Sequence, residues 1–468
     1  MESYIRGVKK NQKTLRAAQV LLAICLQGAL TYSCSVLSSS FYVTHLVNRG
    51  IPKIHVGLIG MMPAAGFLLN GFYDFLDYLL HTKQFSLRSV QLSTMAAIIV
   101  NCAAQGVVEY LPTDQNLLLT ILMILFRAIH GFLGFLCGKG TVQCCQAWFP
   151  DYLNFTVGLE MSMNYLGGGL CVLMSGFIYS ALGFNEPYFV VSFICAIFWL
   201  YNFFFMPRSS DPVYIRAETE ENKDTDALQS PQSKFPDMEA IETKSTDEED
   251  SNKKGLTWML VFPLSATALV TLLEGYTAAI TTPYFHDKFG MNVDEGWSYL
   301  FILFLSLVIG AVGVGFILQM GWLSSYRAMI AGGCSSTIGL LLTFPDERMI
   351  RLYTAVPKSA YAGNFLIGLG SISIAIASLP ALEETHVSVT WQRFTRKGRS
   401  QAASLWMIFW MLAVYVGHLV ALLVMEFLSY SQGGWLMVGC SVFSIAFNVV
   451  MDIITNRCRS VKKHSSYL

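Results

Sequence analysis

Several ionisable side chains stand inside stretches that are otherwise apolar, and their spacing sets what chemistry they can do. Arg127 and His130 sit three residues apart in the run Phe126 to Gly134. On a helix the offsets i, i+3, i+4 and i+7 bring Arg127, His130, Gly131 and Gly134 onto one face. That face offers a fixed cation, a group that exchanges protons near neutral pH and glycines that admit a neighbouring helix. Arg127 suits a carboxylate ligand or a set of backbone carbonyls; His130 suits proton exchange or packing. Glu274, between Leu273 and Gly275, has no Lys or Arg within a helical turn. A carboxyl so placed suits binding of a cation or a proton. Lys139 and Glu160 fall at similar depths in consecutive apolar runs. They are expected to pair and neutralise each other, the alternative being that Lys139 extends to the membrane interface. Tyr32, Ser35 and Asn364 add hydroxyl and amide groups to three further runs.

None of these residues forms a catalytic set. The chain has no HExxH, GxSxG or P-loop pattern, so no enzyme activity is expected. The eleven cysteines include the adjacent Cys144 and Cys145 but no CxxC pair. Most lie in apolar runs, where cysteine packs as a small hydrophobe, and neither a metal nor a cofactor is expected.

The elements that must hold these groups follow from composition. Of 468 residues, 54% are hydrophobic and 13% charged, against about 25% charged in average soluble proteins. A water-soluble fold would leave too much apolar surface wet. Formal net charge is zero, so no basic field attracts nucleic acid. Apolar runs long enough to cross about 30 Å of hydrocarbon occur at 17–44, 55–79, 88–112, 116–143, 154–182 and 186–206, and again at 255–282, 297–321, 326–344, 358–380, 402–428 and 433–454. Backbone groups in lipid must bond within their own segment or in a closed barrel. Continuous apolar runs, without strand alternation, select helices. The expectation is an all-α membrane protein with twelve transmembrane helices in two six-helix bundles. Residues 1–16 form a tail, 17–206 the first bundle, 207–254 a polar disordered linker, 255–454 the second bundle and 455–468 a second tail. Loops on one side hold only Arg49, Lys53, Lys288, Arg348, Arg351 and Lys358. Most other Lys and Arg share the side of both termini, which the positive-inside rule makes cytosolic.

Glycines and prolines mark contacts and breaks. Gly167, Gly168, Gly169 and Gly176, with Gly310, Gly313 and Gly315, allow close helix approach. Pro380 is expected to end the tenth span.

Six spans, a polar linker and six spans resemble the major facilitator superfamily. Arg127 followed by Gly131 and Gly134 is similar to that family's fourth-helix motif. The series Phe149-Pro150, Gly158, Gly167, Ser175-Gly176, Gly183-Phe184 and Pro187-Tyr188 resembles the fifth-helix region of its vesicular amine and polyamine transporter branch. The resemblance implies an integral multi-pass protein in a lipid bilayer that carries a small organic solute, an amine or polyamine, by alternating access, with protons as coupling ion. It further implies that the first, fourth, seventh and tenth helices line the cavity, which nominates Tyr32, Ser35, Arg127, His130, Glu274 and Asn364. Gly131, Gly134, Gly158, Gly167 and Gly176 would serve conformational change. Two departures stand out: Cys171-Val172 replaces the fifth-helix Gly-Pro, and the stretch Gly71 to Asp77 lacks the usual basic residues. They keep open a non-transporting receptor or scaffold. Arg127 keeps open an organic-anion carrier or a uniporter.

Overall fold

The computed structural model describes residues 2–37, 41–80, 87–207, 245–290, 293–344, 356–390 and 396–465. Most of the expected linker, 208–244, lies outside them. Twelve long helices carry nearly all of the described chain. They are α1 Glu2–Val36, α2 Lys53–Leu80, α3 Leu87–Val108, α4 Asn116–Trp148, α5 Leu153–Leu182 and α6 Glu186–Phe205, then α7 Ser245–Phe289, α8 Val293–Gln319, α9 Ser325–Thr343, α10 Val356–Thr390, α11 Arg396–Phe427 and α12 Tyr430–Ser465. A short helix, Tyr42–Asn48, joins α1 to α2. There is no strand among the described residues.

Several helices overrun the apolar runs that announce them. α1 takes in the expected N-terminal tail, α7 starts at Ser245 inside the expected linker, and α12 extends to Ser465. Hydropathy marks where a helix meets water, whereas Lys, Glu, Gln and Arg continue a helix readily once it is nucleated. Pro380 does not end α10, which runs on to Thr390. Trp406 of α11 bonds to the turn before Pro380, Nε1 donating to Ala375 O at 3.2 Å and to Ser378 Oγ at 2.7 Å. The break between α4 and α5 falls at Phe149-Pro150, where a single 3₁₀ turn, Pro150–Tyr152, intervenes.

Ten of the helices are long and apolar enough to cross a membrane. Among the described residues α2 and α9 do not reach that length and apolarity. The described apolar stretch of α2 is Ile54–Leu69. In α9, Arg327, Gly332, Gly333, Ser335 and Ser336 dilute the apolar residues. Its small residues serve packing instead: a Cβ added at Gly332 would stand 2.7 Å from Gly370 O, and one at Gly339 2.6 Å from Gly363 O, both on α10. On the outer faces Leu117, Val100 and Phe193 are 71%, 68% and 69% exposed. Apolar surface of that extent fits lipid, not water.

The packing repeats with an offset of six helices. α1 packs on α5 and α2 on α4; correspondingly α7 packs on α11 and α8 on α10. α3 also contacts α6 as α9 contacts α12. Two half-to-half seams, α5 against α8 and α2 against α11, are related by the same offset. These are two six-helix bundles facing each other, the arrangement of a parallel repeat.

The end of the first bundle beyond α3 is tied by charge. Glu109 receives Arg49 and His45, the latter at 2.7 Å, and Arg49 Nε donates to Asn116 Oδ1 at 3.0 Å.

Close helix crossings rest on bare backbone. A Cβ at Gly131 would lie 2.0 Å from Pro63 O of α2, and one at Gly275 would lie 1.8 Å from Val414 O of α11. At Gly158 it would meet Ala311 O at 2.6 Å across the α5–α8 seam. Gly313, expected to serve the same purpose, has nothing within 4 Å. Overpacking typically costs about 1–3 kcal/mol. Gly131→Val and Gly275→Val are therefore expected to lower the melting temperature of the detergent-purified protein, with Gly313→Val leaving it unchanged. Equal melting of all three variants contradicts these contacts.

Candidate functional site

A cavity of about 40 Å³ opens between α1, α4, α5 and α11, room for a few waters at ~10–15 Å³ each. Its polar end is built on α5. Glu160 and Asn164 are one helical turn apart, and Asn164 Nδ2 donates to Glu160 Oε1 at 2.9 Å. They reach across α1 because Gly28 has no side chain. A Cβ there would stand 1.7 Å from Asn164 Oδ1 and 2.7 Å from Glu160 Oε1. Glu160 is buried, and Asn164 Oδ1 is buried without a hydrogen-bond partner.

Trp410 and Tyr415 of α11 also line the cavity, and aromatic rings suit a cation. Tyr415 meets Ser35 of α1, Oη to Oγ at 2.8 Å, so the two halves touch at the wall. On α4, His130 lines the cavity with both ring nitrogens unpartnered. Gly134 keeps space open beside it, the nearest atom to an added Cβ being Thr31 Cγ2 at 3.7 Å.

Glu274 does not reach the cavity wall but stands behind it. Tyr32 Oη donates to its Oε1 at 3.4 Å, and Tyr165 Oη to its Oε2 at 3.3 Å. The two tyrosine rings meet edge to face at 5.1 Å, and Phe304 of α8 packs on both. A carboxyl of the second half is thus held by hydroxyls from α1 and α5 of the first. Tyr32 belongs to both environments, lining the cavity while bonded to Glu274.

Arg127 is near the cavity but not on its wall. Nη1 donates to Ser35 O at 3.0 Å, and the guanidinium lies 5.4 Å from the centre of the Tyr42 ring. The hydrogen bond reaching Glu160 comes from Asn164, not from Lys139, the partner expected from the sequence. On α5 an amide one turn away is nearer at hand than a long side chain from α4. Asn364 is buried away from the cavity, accepting from Thr343 Oγ1 at 3.5 Å and donating to Tyr299 O at 3.4 Å. The structure therefore brings Tyr32, Ser35, His130 and Glu160 together at one cavity with Glu274 behind them. Asn364 and Arg127 stand outside it. Of the glycines, Gly134 faces the cavity, Gly131 and Gly158 carry helix crossings, and Gly167 abuts Ala29 of α1. Gly176 is buried.

Asn164, Trp410, Tyr415 and Tyr165 were not singled out from the sequence. The i, i+4 spacing of Glu160 and Asn164 was a usable signal. The aromatic residues of α11 read equally well as packing, and nothing in the order of residues says that Tyr165 reaches an acid in the other half.

Compared with known protein families, the chain matches the Major Facilitator Superfamily over residues 93–390. That range begins in α3 and ends with α10, so it takes in both halves. The match is to the superfamily as a whole, and the vesicular amine and polyamine branch finds no support in it. No curated protein matches the chain.

The two asparagines give a direct test of the cavity. In a cysteine-free background, Asn164→Cys is expected to react with a small charged thiol reagent added to the purified protein, and Asn364→Cys to stay unlabelled. Equal labelling at both positions would place the water-filled space elsewhere.

Proposed function

The chain belongs to the Major Facilitator Superfamily; it is a multi-pass membrane transporter of small solutes, and from that premise we propose that its solute is an organic cation. The observation that carries this reading is the charge on the cavity wall. Glu160 is the one carboxylate among the described residues that line it, and no Lys or Arg does. Arg127, the residue an anion would need, is not on that wall: its Nη1 donates to Ser35 O and its guanidinium lies over the Tyr42 ring, with Nε buried and unpartnered. A buried carboxylate in a cavity that Trp410 also lines offers an ammonium both a counter-charge and an aromatic partner.

Transport proceeds by alternating access, the two bundles rocking about the cavity between them. Protons drive it through Glu274. Its tyrosine partners come from the opposite half, so rocking the halves apart removes both hydroxyls and changes how well the carboxyl holds a proton. In this reading both termini are cytosolic. The acidic segment within 207–254 joins the halves on the same side.

Uptake into proteoliposomes tests the charge of the solute. A panel of alkylamines is expected to accumulate, with carboxylates of matched size excluded. Loss of a charged hydrogen bond costs about 1.5–3 kcal/mol, so Glu160→Gln should weaken amine uptake by roughly ten- to a hundredfold. Accumulation of carboxylates but not amines overturns the reading.

Glu274→Gln separates coupling from binding. It is expected to abolish amine accumulation driven by an imposed pH gradient while leaving downhill exchange of amine in place. Gradient-driven accumulation at the wild-type level removes Glu274 from the coupling path.

A further inference from the structure

The cavity has a second polar end that a bare ammonium ion does not use. His130 is 2% exposed, lines the cavity, and has neither Nδ1 nor Nε2 hydrogen-bonded. A neutral imidazole carries one N–H donor and one acceptor nitrogen. Leaving both unmet in a buried site is costly. A ligand hydroxyl or amide satisfies one of them, accepting or donating according to the tautomer, whereas an alkyl end satisfies neither.

The depth of His130 follows from contacts along α1. Glu160 and Asn164 sit over Gly28, whereas Gly134 of α4 faces Thr31, one turn further along. His130 lies one turn beyond Gly134 in the same direction, since Arg127, beyond it again, reaches Ser35 O. At 1.5 Å per residue, the carboxylate end and the imidazole end are separated by about 10 Å. Between them the wall is mainly apolar and aromatic, with Phe67, Tyr32 and Met411. At the carboxylate end two acceptors converge, the Glu160 oxygens and the unpartnered Asn164 Oδ1.

We infer that the cavity selects amines with two distinct ends: a primary ammonium held by Glu160 and Asn164, a short apolar chain, and a terminal hydroxyl or amide read by His130. The inference rests on the cation reading of the cavity and adds the chemistry of the solute's far end. His130 is then a specificity-determining residue, separate in role from the residues that hold the charge.

Two amines of equal chain length discriminate these roles: hexylamine, and aminohexanol with its hydroxyl at the far end. Their affinities for the purified protein in lipid nanodiscs are measured by calorimetry, and folding of each variant is checked by thermal melting. Wild type is expected to bind aminohexanol about tenfold more tightly, the worth of roughly 1.4 kcal/mol of hydrogen bonding. His130→Gln, which keeps a donor and an acceptor, is expected to retain a preference. His130→Phe, which keeps volume and loses both, is expected to bind the two amines equally. A preference that survives in His130→Phe, or one absent from wild type, overturns the inference while leaving the cation reading intact. If neither amine binds wild type, the cation reading fails and takes the inference with it.

Discussion

Two carboxylates buried in an apolar bundle without a cation beside them are the constraint on which the rest of this structure turns. Glu160 and Glu274 are each 4% exposed. Their hydrogen-bond partners are neutral: Asn164 for Glu160, Tyr32 and Tyr165 for Glu274. Holding a charge in low dielectric with only neutral donors is expensive, and the cost falls when a mobile cation or proton arrives. A structural ion pair would have removed that cost permanently, and with it any reason for a solute to bind. On the proposed reading, a bound cation or proton completes the site.

The scaffold makes this tolerable by fixing everything around the two acids. Gly28 lets α5 lean its carboxylate over α1, and Gly275, next to Glu274, lets the backbone of α11 come close to α7. At the α5–α8 seam Gly158 meets Ala311 and Gly315 backbone to backbone, while aromatic rings also cross between the halves, Phe304 against Tyr32 and Tyr165 and Phe67 against Tyr415. The polar links across the halves are few and reversible: Ser35 to Tyr415, and the two tyrosines to Glu274. Strong packing within each half and weak polar ties between them is what a rocking motion needs.

Much of this was legible in the residue order. Lipid admits few solutions for an apolar chain, so the runs of hydrophobic residues announced the long helices, and the acidic stretch announced their division into six and six. Helix ends were not legible, because α7 and α12 continue through polar residues that favour helix as much as water. Pro380 illustrates the same limit: it lies inside α10, which runs on to Thr390, and packing around a proline decides whether its helix continues. At the site, His130 and Glu274 were marked by the rarity of ionisable groups in apolar runs. Depth along the chain points to Lys139 for Glu160, whereas the hydrogen bond shown comes from Asn164, one turn away on the same helix. Asn364 was nominated by family resemblance, yet its side chain turns toward α8 and α9. Rotation of a helix about its axis is set by packing across the bundle, and a single helix does not carry that information.

A structure of the protein in nanodiscs saturated with an alkylammonium ion tests the central claim most directly. The ligand nitrogen is expected within hydrogen-bond distance of Glu160 and Asn164, with Trp410 alongside. A ligand seated instead on Arg127, or bound with Glu160 left without contact, would contradict it.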